Sequence, residues 1–124
     1  MRKVILFYVL LLVLHALHLV EETLGNAYFI NDFYNDLNNF LVVNIILLLI
    51  PTILLYFVSK DNKIALYLAF LYPIVMIIDG IDHIMEFFVR GYVGGAAGLI
   101  TGVVFLPISI LLILQLRRAL SFIM

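Results

Sequence analysis

Four long apolar runs separated by short polar stretches set the pattern of this chain. They cover about residues 4–22, 40–58, 64–89 and 93–116. Each approaches or exceeds the ~20 apolar residues that cross about 30 Å of hydrocarbon. Lipid offers no hydrogen-bond partner to the backbone, so the runs are expected to be helices. The pattern predicts an all-α fold, a four-transmembrane-helix bundle forming a single domain over residues 1–124. Residues 23–39, rich in Asn, Asp and aromatics, read as a connector, with Gly25-Asn26 as a helix stop. Residues 59–63 read as a tight polar turn, and Arg90-Gly91-Tyr92 as the turn into the last span. Pro51, Pro73 and Pro107 fall inside spans, where kinks are expected. Gly94, Gly98 and Gly102 make a small-xxx-small row that permits close backbone approach.

Charge adds an orientation. Arg2, Lys3, Lys60, Lys63, Arg117 and Arg118 fall on one side of a four-span arrangement, and only Arg90 on the other. The positive-inside rule then places both termini in the cytoplasm of a multi-pass cell-membrane protein. Met1-Arg2-Lys3 and the run behind it imitate a secretory signal. The run is long, lacks a small-x-small cleavage site and carries His15 and His18, so it reads as a retained helix. Composition supports the bilayer assignment: 66% of residues are hydrophobic and 12% charged, against about a quarter charged in ordinary soluble domains. A net charge of -1 gives no footprint for nucleic acid. With no cysteine, disulfides, thiolate metal sites and cysteine nucleophiles are excluded.

Two polar stretches interrupt the apolar pattern. The first is His15-Ala-Leu-His18-Leu-Val-Glu21-Glu22, late in the first span; the second is Asp79-Gly-Ile-Asp82-His83-Ile-Met-Glu86, late in the third. At 100° per residue, His15, His18 and Glu22 share an arc of about 60°, with Glu21 about 60° beyond His18. Asp79, Asp82, His83 and Glu86 share an arc of about 100°. Both spans run in the same direction, so the stripes lie at similar depth. His18-x-x-Glu21 and His83-x-x-Glu86 also form a weak parallel two-fold pseudo-repeat, which brings the stripes face to face. Ionised residues facing lipid cost about 2.5–3.5 kcal/mol each at the bilayer centre, so both stripes are expected to face inward.

Imidazoles and carboxylates together supply the N and O donors that suit a divalent transition metal: zinc, iron or manganese, mono- or dinuclear. The expected ligands are His18, Glu22, Asp79, His83 and Glu86. Glu21 is the candidate general base, and His15, Asn44 and Thr101 are the candidate hydrogen-bond partners behind the ligands.

The same residues resemble the HXXEE family of small integral membrane proteins. The name-giving motif stands here as His18-Leu19-Val20-Glu21-Glu22. Family members look like Asn-x-x-x-His late in span three, then a Tyr, then Pro-Gly-x-x-Thr opening a proline-containing span. This chain has Asp79-Gly-Ile-Asp82-His83, Tyr92, Ala97-Gly98-Leu99-Ile100-Thr101 and Pro107. It departs in Asp79 for Asn, Ala97 for Pro, and extra residues between Tyr92 and Gly98. The resemblance implies a shared fold and a shared polar site, and no particular activity.

Three function classes fit these residues. One is an intramembrane metal site near the outer leaflet, acting on a small or lipid-soluble substrate. Another is a metal-free His/carboxylate pocket, either a proton-linked transporter or an isomerase-like binder. The third is an accessory subunit of a homo-oligomer or larger membrane complex, with the stripes serving as interhelical glue. The bilayer and a metal ion are the expected partners.

Overall fold

The computed structural model describes residues 1–25, 36–95 and 97–123, with side chains over 1–25, 36–89 and 97–122. Five helices follow one another: α1 (Arg2–Leu24), α2 (Leu37–Ser59), α3 (Lys63–Leu68), α4 (Leu71–Gly95) and α5 (Leu99–Ile123). They make four helical stretches long and apolar enough to cross a membrane, because α3 and α4 together form one. Among the described residues there is no strand.

Local chemistry explains the ends. Asp36 caps α2 by accepting from the Asn39 amide at 2.8 Å, and Asn62 caps α3 by accepting from the Ala65 amide at 3.0 Å. Asp61 takes φ 56° in the turn between α2 and α3, a conformation that Asp tolerates better than most residues. Gly25 closes α1 as expected, in a right-handed conformation. Most of the connector expected over residues 23–39 lies outside the described residues.

The third span differs from expectation. It is not one helix over residues 64–89 but two, broken at Ala69-Phe70. Pro73 is the cause: its ring collides with the carbonyl four residues back, at Ala69, and it offers no N–H. Pro73 therefore sits in the first turn of α4, whereas Pro51 and Pro107 lie inside α2 and α5. The expected turn at Arg90-Gly91-Tyr92 is also displaced. Glycine alone costs a helix only about 1 kcal/mol, and α4 runs on to Gly95. The chain reverses at Gly98, which takes φ +81°. Gly94 therefore belongs to α4 and Gly98 to the turn, so the glycine row is not one stripe on one helix.

α5 is the helix the others share. It packs on α4, on α1 and on α3, while α2 packs on α1 and α3 at the periphery. The apolar core fills the half of the bundle that holds both chain ends. There Val4, Tyr8 and Leu11 meet Val58, Leu66, Leu112, Leu116 and Leu120. Outward positions such as Leu6, Val13, Leu17, Ile46, Ile53 and Ile78 are about half exposed, which suits contact with lipid.

The α4–α5 pair is set by a backbone contact. A Cβ built on Gly80 would run into the Gly102 carbonyl oxygen, which belongs to the backbone and cannot swing aside. Gly80→Val is expected to push the helices apart and destabilise the protein by about 1–3 kcal/mol. A lowered midpoint of thermal unfolding in detergent, relative to a Val substitution at lipid-facing Ile78, is the measurement that checks it.

Candidate metal centre

α1 and α4 each deliver one histidine to a common point beside the start of α5. His18 and His83 are both buried, and their rings meet edge to face with centroids 4.6 Å apart. Two carboxylates bracket them. His18 Nε2 lies 3.2 Å from Asp79 Oδ2 and 3.5 Å from Glu22 Oε2. His83 Nε2 lies 3.3 Å from Glu22 Oε1 and 4.0 Å from Asp79 Oδ1. Ligand atoms of His18, Asp79 and His83 all fall within 4.8 Å of one another, so this group could hold a metal ion. The expected meeting of the stripes from spans one and three is therefore present.

The floor of the site is built by residues without polar chemistry. Phe105 is fully buried, with its ring centroid 4.9 Å from that of His18. Gly98 lies against both imidazoles: a Cβ there would come within 2.6 Å of Cε1 on each ring. Gly102 similarly borders His83 at 3.2 Å. Only backbone without side chains fits between α1 and α4 at this level, which is why the two rings can touch.

Behind His18 runs a directed chain of hydrogen bonds. Gly98 has no side chain to cap α5, so Glu21 reaches across from α1 to do it. Its Oε1 accepts from the Ile100 amide at 3.1 Å, and its Oε2 from the Thr101 amide at 3.0 Å and the Thr101 hydroxyl at 2.6 Å. A carboxylate on the free amides of a helix start is favourable in charge and in hydrogen bonding. The Thr101 hydroxyl spends its one proton on Glu21, so at its 2.7 Å contact with His18 Nδ1 it accepts. His18 thus carries its proton on Nδ1 and turns the Nε2 lone pair towards Asp79 and Glu22. That tautomer is the one a metal ligand needs, fixed by a partner behind the ring.

The arrangement of Nε2 against the acids is informative. His18 Nε2 and Asp79 Oδ2 are both buried, 3.2 Å apart, yet neither has an aligned hydrogen bond. A nitrogen and a carboxylate oxygen held this close are suited to sharing a cation. Ligands at about 2.0–2.1 Å from a tetrahedral zinc stand about 3.3 Å apart; His18 and Asp79 are 3.2 Å apart, Glu22 is 3.3 and 3.5 Å from the two rings, and His83 would close in on Asp79 from 4.0 Å.

The remaining candidates are dispersed. Glu86 is half-buried one turn beyond His83 and, among the described residues, forms no ion pair with either histidine. Glu21 is committed to the start of α5 and reaches the centre only through Thr101. Asn44 is buried but donates to the Phe40 carbonyl of its own helix at 2.9 Å. His15 sits one turn below His18 and contacts the Tyr72 hydroxyl at 3.2 Å. Phe105 and Tyr72 are neighbours that the polar pattern did not single out. Their only sequence signal is an aromatic on the inward face of a span, which is indistinguishable from ordinary core.

No protein-family model matches the chain, and no curated protein or solved structure matches it. The site is therefore read from its own geometry.

Thr101 ties α1 to α5 as well as orienting His18. Thr101→Val, which keeps the shape and removes the hydroxyl, is expected to cost about 1.5–3 kcal/mol through the lost bond to a charged group. Thr101→Ser should recover most of it. Thermal unfolding of the three proteins in one detergent checks this, and equal midpoints for Val and Ser would contradict it.

Proposed function

We propose that the protein is a multi-pass cell-membrane protein that binds a single divalent transition metal, zinc by preference. His18, Asp79 and His83 act as ligands, with Glu22 beside them as proton acceptor. The observation that carries this reading is the convergence of two buried imidazoles, each through Nε2, on two carboxylates at 3.2–4.0 Å, with donor atoms of His18, Asp79 and His83 all within 4.8 Å of one another. Charge points the same way. Two carboxylates gathered in a low-dielectric site are negative charge that a divalent cation offsets.

Three protein donors and a neighbouring carboxylate match the layout of catalytic zinc rather than closed structural zinc. Bound there, the metal would supply a Lewis acid and an activated water. The part given by sequence to Glu21 as base passes in this reading to Glu22, which contacts both rings, and Glu21 becomes the positioning residue for His18 through Thr101. The side chain of Asp79 is about one-third exposed, which leaves the centre open to a small or lipid-soluble reactant. The asymmetry of Lys and Arg supports cytoplasmic termini, and hence a site towards the outer leaflet. The HXXEE pattern and the Gly98-x-x-Thr101 element support kinship with that family, since both motifs lie in this centre.

Elemental analysis of protein purified without chelator is expected to find about one equivalent of zinc, iron or manganese per chain. His18→Ala and His83→Ala should each abolish it, while Glu86→Gln should retain it. Metal-free wild-type protein that takes up none of the three on titration would refute the reading.

Acidification is expected to release the ion, because protons compete for imidazole nitrogen and carboxylate. Thr101→Val should shift release to higher pH, with affinity lowered about 10- to 100-fold. Zinc titration at several pH values checks both.

A further inference from the structure

One large feature is not used by the metal centre. A groove of about 590 Å³ opens sideways between α2 on one wall and α3 with the start of α4 on the other, and His15 of α1 borders it. It exists because α2 packs on α1 and α3 rather than on α4 or α5. Its volume falls within the ~300–1,000 Å³ range of small-molecule sites. The lining is almost wholly hydrocarbon, including Leu47, Leu54, Leu68 and Val75; His15, Tyr72 and Asn62 are the polar exceptions.

The polar groups are arranged asymmetrically. Asn62 lies at the end near the chain termini, where its side chain is spent on the Ala65 amide. His15 and Tyr72 lie at the other, deep end. The Tyr72 hydroxyl lies between the Leu11 carbonyl at 3.3 Å and His15 Nδ1 at 3.2 Å. With its proton on Leu11, the phenol accepts from His15 Nδ1 and leaves the ring's lone pair on Nε2. In that tautomer the deep end of the groove presents one hydrogen-bond acceptor and, among the described residues, no charge.

Register places this end directly below the metal centre. His18 follows His15 by one turn on α1, and Asp79 follows Val75 and Met76 by one turn on α4, on the same helix faces. One turn is about 5 Å. Along α2 the groove runs from Phe57 to Leu47, about 15 Å, or half of a ~30 Å hydrocarbon layer.

We propose that this groove binds a single-chain lipid alcohol. Its hydroxyl donates to His15 Nε2 and its chain lies along α2 and α3 towards the end holding the chain termini. A phospholipid headgroup does not suit the deep end. His15 is about 20 Å along α1 from Arg2, at a depth where charge is costly, and among the described residues no cation lines the groove. A neutral hydroxyl is satisfied there by one bond. The assignment of this alcohol as substrate rests on the metal reading above, because it sets the hydroxyl-bearing carbon one turn from the ligands. The binding site itself does not depend on that reading.

The test is photolabelling of the full-length protein in vesicles. The probes are a long-chain primary alcohol carrying a mid-chain diazirine, its methyl ether, and a phosphatidylcholine with the same diazirine in one acyl chain. Metal content is measured on the same samples. The expected result is alcohol labelling concentrated on Leu47, Leu54 and Leu68, reduced at least severalfold by Leu68→Trp, which fills the groove. The ether, which cannot donate, should label these positions about three- to tenfold less, as should the alcohol with His15→Ala, matching the loss of one hydrogen bond. Metal content should be unchanged in Leu68→Trp. Labelling spread evenly over lipid-facing residues, or equal labelling of the groove by the phosphatidylcholine, would overturn the proposal. Groove-specific alcohol labelling in protein that binds no metal would uphold the binding site and remove only the metal reading.

Discussion

Everything at the centre depends on how closely two backbones approach. α4 and α5 touch where Gly80 faces the Gly102 carbonyl, and the chain reverses at Gly98 with a φ that favours glycine. These contacts let α5 slide beneath two imidazoles that a larger residue would hold apart. In a bilayer there is little hydrophobic gain from pressing apolar helices together, because lipid tails are equally apolar. Dispersion at short range and interhelical hydrogen bonds remain as the forces, and both need this closeness.

The polar layer is then a consequence of packing as much as of chemistry. Two histidines and two acids at membrane depth are costly singly. They become tolerable where imidazoles and carboxylates face one another at 3.2–3.5 Å, where Glu21 finds the free amides of α5, and where Phe105 closes the floor against the apolar core. The molecule is divided accordingly. One half is a dense hydrocarbon core around Leu66, Leu112 and Leu116; the other holds the His/carboxylate layer. His15 and Tyr72 mark the border between them.

Hydropathy and helical period were enough to locate the four spans and to put His18, Glu22, Asp79 and His83 on inward faces. They could not place the ends of the third span. The break at Ala69-Phe70 follows from Pro73 acting four residues upstream, whereas a proline read as a local kink points to its own position. Nor could they separate Asp79 from Glu86. Both lie on one arc of one helix, Asp79 one turn before His83 and Glu86 one turn after it, and only the packing of α4 against α1 distinguishes the carboxylate that reaches His18. The task of Glu21 was hidden for a different reason. It depends on where α5 begins, which Gly98 sets, in a glycine-rich stretch that looked like continuous helix. Phe105 is a core aromatic in composition and becomes part of the site only through the company it keeps.

The route by which the centre is assembled has a consequence for biogenesis. Its donors come from the first and third spans, but the residues that orient and floor it, Thr101, Gly98 and Phe105, come from the last. During synthesis the early spans leave the ribosome with their histidines and acids unsupported, and nothing can organise them until the final hairpin has entered the bilayer. An assembled centre therefore requires α5. A product truncated before α5 would carry all of the donors and none of the frame, a difference that membrane quality control can act on.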